Sequence, residues 1–265
     1  MNLFSGDNTP LYPAAVLVVI KRIFLSVFIF LLVGCTSKTP VSFNYQCPEK
    51  RLVQLDLLDL SSSGRSEDIL DERLKAIQLD AERVTDCQGV LSVVAWSVSS
   101  ASSFTIFQGT LATSGATEIG RDRKIAKAVD QTMVEVRSGL NEALKKIDPV
   151  GSDLFGAFSL AEDQYKSLGQ NDHLEINLFT DAITNVPPGS VNEPGLTTEE
   201  AVQLAQRTSQ IKLTDTQIKV VGVGKTGIKI AQPPQEYVLR LRTYATAMCE
   251  NTQAKCRILT TIIES

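Results

Sequence analysis

Arg51-Leu52-Val53-Gln54-Leu55-Asp56-Leu57-Leu58-Asp59-Leu60-Ser61-Ser62-Ser63 is the stretch on which the fold turns. Its apolar run is short and stops at a serine cluster, which is how a strand buried within a sheet reads. Asp56 falls inside that strand and is read as structurally partnered, outside any site. Helical spacing follows from Glu67 to Val84, where Ile69, Leu70, Leu74, Ile77, Ala81 and Val84 share a face and Ser66 stands at the N-cap. Val90–Ser97 reads as a second strand, with Ser103–Gln108 able to pair with it. A long amphipathic helix is expected from about Arg121 to Ile147, stopped by Asp148-Pro149. A second helix runs from about Asp153 to Lys166, and Leu174–Thr180 is the next buried strand. The Pro- and Gly-rich segment Asn185–Leu196 is a loop. Thr198 caps a short helix, Ile218–Val223 is a strand, Pro234 opens a helix to about Glu250, and Cys256–Ile263 is the last strand.

Strands and helices that alternate in this way predict an α/β fold with a mainly parallel central sheet and helices on both faces. In such sheets ligands bind beyond the carboxyl ends of the strands, at the switch point. The residues there are Asp59, Asp181 and Gly224. Trp96 is expected in the core.

Asp59, Ser61 and Ser63 place a carboxylate and two hydroxyls at alternating positions of one turn. Oxygen donors of this kind suit a hard cation such as Mg²⁺, which takes few carboxylates and keeps waters and hydroxyls. The D-x-S-x-S pattern closing an apolar strand resembles the metal-ion-dependent adhesion site of von Willebrand factor A (VWA) domains. Three further stretches strengthen the resemblance: Leu178-Phe179-Thr180-Asp181, Gly151-Ser152-Asp153-Leu154 opening a helix, and Val220-Val221-Gly222-Val223-Gly224. It spans roughly Leu52 to Ile263 in the order of that family. It implies a Rossmann-like fold and a site of Asp59, Ser61, Ser63, Ser152 and Asp181 holding Mg²⁺, Mn²⁺ or Ca²⁺. It also implies an open coordination position that accepts an acidic side chain from a protein partner. Two departures stand out: Ser152 replaces the usual threonine, and Ala182 stands where glycine usually follows the aspartate. The alternative is an inherited scaffold with an inactive metal site, serving as a structural component of an envelope assembly for secretion or conjugation.

The chain has 265 residues, 26 Lys plus Arg, 30 Asp plus Glu and a net charge of -4, so nucleic-acid binding through phosphate neutralisation is not expected. Its single histidine, His173, excludes multi-imidazole sites and is read as a solvated loop residue. No G-x-S-x-G accompanies it, and the chain is expected not to be an enzyme. Gly222-Val223-Gly224-Lys225-Thr226 hints at a phosphate loop, yet the first glycine would fall at Lys219 and no helix follows. Charged residues between Arg121 and Lys146 are read as a solvated helix face. Asp153 is read as a helix-capping residue, and the loop from Ala182 to Leu196 as a candidate for partner selectivity.

Before the strand, Lys21-Arg22 precedes an apolar run from Ile23 to Val33 of signal-peptide length, short of the about 20 residues of a transmembrane helix. Adding Ala14–Ile20 would extend it toward an anchor but bury Lys21 and Arg22. Leu32-Val33-Gly34-Cys35 resembles the lipobox of bacterial lipoproteins, which implies cleavage before Cys35, a lipidated sulfur and membrane attachment through lipid. Residues 1–34 are thus read as a leader, 35–50 as lipidated cysteine and tether, and 51–265 as the VWA-like domain. Thr36 stands where aspartate would favour inner-membrane retention, so in a Gram-negative cell the address is the periplasmic side of the outer membrane. Cys47, Cys87, Cys249 and Cys256 then form an even set in an oxidising compartment. Three pairings are open, as are free thiols; Cys47–Cys87 and Cys249–Cys256 are favoured. The expected molecule is a cell-envelope lipoprotein that binds a protein partner at a metal.

Overall fold

Residues 51–59 are apolar at nearly every position and form the inner strand β1, Arg51–Asp59. The computed structural model describes residues 43–99, 102–115, 117–169, 171–186, 190–193, 195–229 and 231–261. The leader, Cys35 and the Ser37–Ser42 tether lie outside the described residues. Among those described, no helix is long and apolar enough to cross a membrane.

After β1 come α1 (Glu67–Asp86), β2 (Val90–Trp96), β3 (Phe104–Thr110), α2 (Glu118–Lys146), α3 (Leu154–Lys166) and β4 (Asp172–Phe179). The chain continues through α4 (Thr198–Ala205), β5 (Gln217–Val221), α5 (Gln235–Asn251) and β6 (Lys255–Leu259). The six strands lie in the order β3-β2-β1-β4-β5-β6. All neighbours run parallel except β3, which pairs antiparallel with β2 and shifts register at Val93/Val94. This is the α/β architecture expected, with the order reversing between β1 and β4.

Side-chain alternation along β1 assigns the two faces. Val53, Leu55 and Leu57 pack with α3, α4 and α5 through Phe158, Ala201, Tyr244 and Met248. Leu52 and Leu58 pack with α1 and α2 through Ile77, Val84, Ile125 and Val136. Trp96 is buried as expected. A polar seam runs through the second face, because Gln54, Asp56 and Asn177 point at α1. Asp56 Oδ1 accepts from Gln54 Nε2 at 2.9 Å and Asn177 Nδ2 at 3.3 Å, and the same amide donates to Asp80 Oδ2 at 2.8 Å. The structural partner expected for Asp56 is therefore this amide pair.

Several element ends differ from the sequence reading, each for a local reason. The long helix starts three residues earlier, because Thr117 accepts from the Gly120 amide at 3.1 Å. The cap of α4 is Thr197, whose extended ψ of 164° lets it form a capping box with Glu200. His173 lies within β4, not in a loop; its imidazole approaches Glu175 at 3.5 Å, and Glu175 is held by a two-pronged bond from Arg83. Disulfides join Cys47 to Cys87 and Cys249 to Cys256. The first pins the segment before β1 to the end of α1, where the Tyr45 amide also donates to Asp86 Oδ2 at 3.1 Å.

Candidate metal centre

At the carboxyl end of β1 the chain turns into a short 3₁₀ helix, Ser62–Arg65. Two arginines hold this turn in place. Arg65 Nε donates to Leu60 O at 2.7 Å and its Nη1 to Leu144 O at 2.9 Å, placing a cation on the carbonyl end of α2. Arg73, from α1 and 3% exposed, donates from Nη1 to the main-chain oxygens of Asp59 and Gly64. Only a glycine fits at 64, since a Cβ there would stand 2.2 Å from Asp59 O. The first strand and its turn are thus fixed before any side chain of the motif acts.

The five residues singled out by the motif come together. Asp59 is buried; its Oδ1 accepts from the Ser61 amide at 2.8 Å, and its Oδ2 accepts from Ser152 Oγ at 2.8 Å. Ser61 Oγ and Ser63 Oγ are 3.3 Å apart. Ser152 is carried by the loop before α3, which is stitched to the sheet end by Asp153 N to Ser97 O (2.9 Å) and by Ser62 N to Pro149 O (3.0 Å). The Ser152 amide donates to Asn185 Oδ1 at 2.8 Å, and the Thr184 hydroxyl donates to Ser152 O at 2.8 Å. Gly151 makes the approach possible at φ +97°, a left-handed conformation.

Asp181 follows β4 and is 4% exposed. Its Oδ1 accepts from the Ile183 amide at 2.9 Å, whereas Oδ2 is buried with no hydrogen-bond partner among the described residues. Burial, with the negative charge of Asp59 beside it, pushes the carboxyl up to about 6, while the Ser63 hydroxyl, the Ile183 amide and Arg73 pull the other way. The next residue, Ala182, adopts φ +61° without being glycine and is fully buried. Gly224 N donates to Asp181 O at 2.9 Å, so the end of β5 braces this loop.

Thr180 was absent from the expected set, yet its Oγ1 donates to Asp59 Oδ2 at 2.7 Å. It ends the apolar stretch and reads as a strand residue, so only the register of β1 beside β4 reveals it. Asp153 takes the N-cap position of α3, without a side-chain cap bond. Lys225 of the G-K-T stretch is committed to Glu72.

Ser61, Ser63 and Ser152 line a cleft of about 420 Å³ together with Pro149, Ile183, Asn185 and Pro233. The donors are oxygens: two carboxylates, three serine hydroxyls and Thr180. Among the described residues no group of three or more His, Cys, Asp or Glu side chains is placed to hold a metal. A cation here would therefore depend on hydroxyls and waters beside Asp59 and Asp181, a donor set that suits Mg²⁺ or Mn²⁺. The unpartnered Asp181 Oδ2 fits such an ion.

No protein-family model matches the chain, and no curated protein matches it. Among solved structures, the chain is similar to the pilus adhesin SpaC from Lactobacillus rhamnosus GG, at 8% identity and a TM-score of 0.44, over 83% of this chain and 29% of that one. It is similar to the conserved hypothetical protein BatB from Bacteroides thetaiotaomicron, at 13% identity and a TM-score of 0.39, over 80% of this chain and 91% of that one. It is also similar to the manganese-loaded TRAP protein of Plasmodium vivax, at 11% identity and a TM-score of 0.34, over 78% and 77% of the two chains. Likenesses this distant carry no functional argument, and the case for the site rests on this chain's own residues.

Proposed function

We propose that the chain is a lipid-anchored protein of the cell envelope whose VWA-like domain captures a protein partner through a divalent cation, without catalysis. Asp59, Ser61, Ser63, Ser152 and Asp181 would hold the ion. The observation that carries this reading is Asp181 Oδ2, a buried carboxylate oxygen without a hydrogen bond among the described residues, on a carboxyl group that lies beside Asp59 and Ser63. Leaving such an atom unmatched costs on the order of 1–3 kcal/mol, which a bound cation would recover. When bound, the cation supplies an electrophilic centre for an acidic side chain of the partner. The chain's own part is positional: Ser152 and Thr180 orient Asp59 Oδ2, and the Ile183 amide orients Asp181. His173 is the second residue of β4 and Asp181 follows its end, so the imidazole is about a strand's length from the serines.

A second reading has its own observation. Ser152 and Thr180 both donate to Asp59 Oδ2, so that oxygen is satisfied without an ion, as in a scaffold whose metal site is inactive. Such a protein would join an envelope assembly through other surfaces. Calorimetry separates the two. The full chain, in mild detergent under oxidising conditions, is freed of metal with EDTA and titrated with Mg²⁺, Mn²⁺ and Ca²⁺. We expect binding that Asp59→Ala and Asp181→Asn abolish while both variants stay folded. A folded wild type that takes up none of the three ions would favour the scaffold. For the anchor, Cys35→Ser is expected to lose palmitate labelling in cells, and persistent labelling would refute lipidation at that sulfur.

A further inference from the structure

We propose that Arg73 is a built-in counter-cation of the Asp59–Asp181 site, leaving the dication-loaded site with one excess positive charge that an anionic group of the partner neutralises. This inference rests on the metal-site reading and adds to it a residue that no motif names. Arg73 reaches the site from α1, buried to 3% exposure, and its Nη1 donates to the main-chain oxygens of Asp59 and Gly64. A Cβ at Gly64 would stand 3.0 Å from that nitrogen, so the metal-binding turn is wrapped closely around the guanidinium. Both hydrogen bonds end on carbonyls, and among the described residues no carboxylate bonds the guanidinium directly. A guanidinium keeps its proton under such conditions. Burial lowers its pKa from the ordinary arginine value, and the carboxylates of Asp59, Asp181 and Glu72 oppose that shift.

The other ions nearby are matched by opposite charges: Glu72, which also acts on Arg73, is paired with Lys225, and Arg65 of the same turn faces the charge of Asp148. Two ionised carboxylates and one guanidinium therefore leave a single negative charge. A bound dication turns this into a single positive charge, and one incoming carboxylate brings the buried site to neutrality. Without Arg73, the loaded site would already be neutral, and an added carboxylate would leave an uncompensated buried charge, which is strongly unfavourable. The arginine thus trades affinity for the bare ion against affinity for the ion with its anionic partner.

The test uses the full chain in mild detergent, with Mg²⁺ alone as probe, in wild type, Arg73→Lys, Arg73→Met and Arg73→Gln. The glutamine keeps a donor for the two carbonyls if the methionine variant fails to fold; circular dichroism reports folding in each. We expect the neutral variants to bind Mg²⁺ about tenfold more tightly than wild type, from the removal of one nearby positive charge. Arg73→Lys, which keeps the charge, should stay within about threefold of wild type. Neutral variants that bind Mg²⁺ as wild type does, or more weakly, would overturn the counter-cation role and leave the metal site standing. No binding in any of the folded proteins would overturn the metal-site reading itself, and this inference with it. Binding confined to the neutral variants would favour an inactive metal site in the natural chain and so overturn this inference.

Discussion

Gly151 holds the Ser152 hydroxyl where it meets Asp59, and it does so at a backbone angle that side chains rarely adopt. A Cβ at this position would stand 2.8 Å from Val98 Cγ2 and 2.9 Å from Asn185 Oδ1, the acceptor of the Ser152 amide. Gly151→Ala therefore adds a steric displacement to the cost of a left-handed residue. Gly195 offers the control, since it has a similar φ of +86° and open space around it. We expect Gly195→Ala to cost about 1 kcal/mol and Gly151→Ala about 2–3 kcal/mol in urea unfolding, with Mg²⁺ affinity weakened only in the second. Equal losses in the two would mean that the Ser152 loop yields without disturbing its neighbours. Ala182 makes the complementary point. At φ +61° it accepts the backbone cost that a glycine would avoid, and its methyl group, fully buried among the loops, offsets part of that cost.

At the scale of elements, the strands and helices were legible because each carries one dominant signal. β1, β2 and β4 are apolar runs bounded by small polar residues, and α1 shows an apolar face at helical spacing. The strand-end residues Asp59 and Asp181 were legible for the same reason, since a buried parallel strand must deliver its last side chain to the switch point. What escaped was set by neighbours in space. Thr180 looks like strand interior until β1 lies beside β4 and brings it within 2.7 Å of Asp59 Oδ2. Arg65 and Arg73 look like solvated helix-end and helix-face residues, yet both turn inward onto carbonyls of the serine-rich turn after β1. Such side chain to backbone bonds leave no periodic trace. His173 reads as loop because Asp172 and His173 are polar, and only the ladder with Arg51 and Leu52 draws them into β4. The motif thus names five side chains that lie together, whereas Thr180 and the arginines that fix the turn are not readable from it.

For the molecule as a whole, the polar seam between α1 and the sheet sets a pH dependence of stability. Asp80 is pushed up to about 7, chiefly by burial, with Glu175 adding to the push and Lys219, the Asn177 amide and Arg83 opposing it. Asp56 is raised well above the usual carboxylate range by burial and by the charge of Asp80, against Gln54, Asn177 and Lys219. A carboxyl raised in the folded state keeps a proton that the unfolded chain releases near its ordinary value of about 4. The folded state then binds more protons than the unfolded one, so the stabilisation is present below about pH 4 and is lost as pH rises toward about 7. Asp181 acts in the same direction. The opposite contribution comes from Glu175, which Arg83 holds low despite burial, and from Asp172 beside Arg51; it fades only as pH falls below about 4. Between about pH 5 and about pH 7.5, with EDTA present, the urea-unfolding free energy of the oxidised protein should therefore fall by about 1–2 kcal/mol. Asp80→Asn keeps an acceptor for the Asn177 amide but cannot ionise, and it should flatten that slope while leaving Mg²⁺ affinity unchanged. A wild type that grows more stable over this range, or an Asp80→Asn variant with an undiminished slope, would show that the seam does not hold its protons. If the slope flattens as expected, two residues about two turns apart on α1 have separate parts: Arg73 bonds the serine-rich turn after β1, and Asp80 ties the helix to the sheet by a proton.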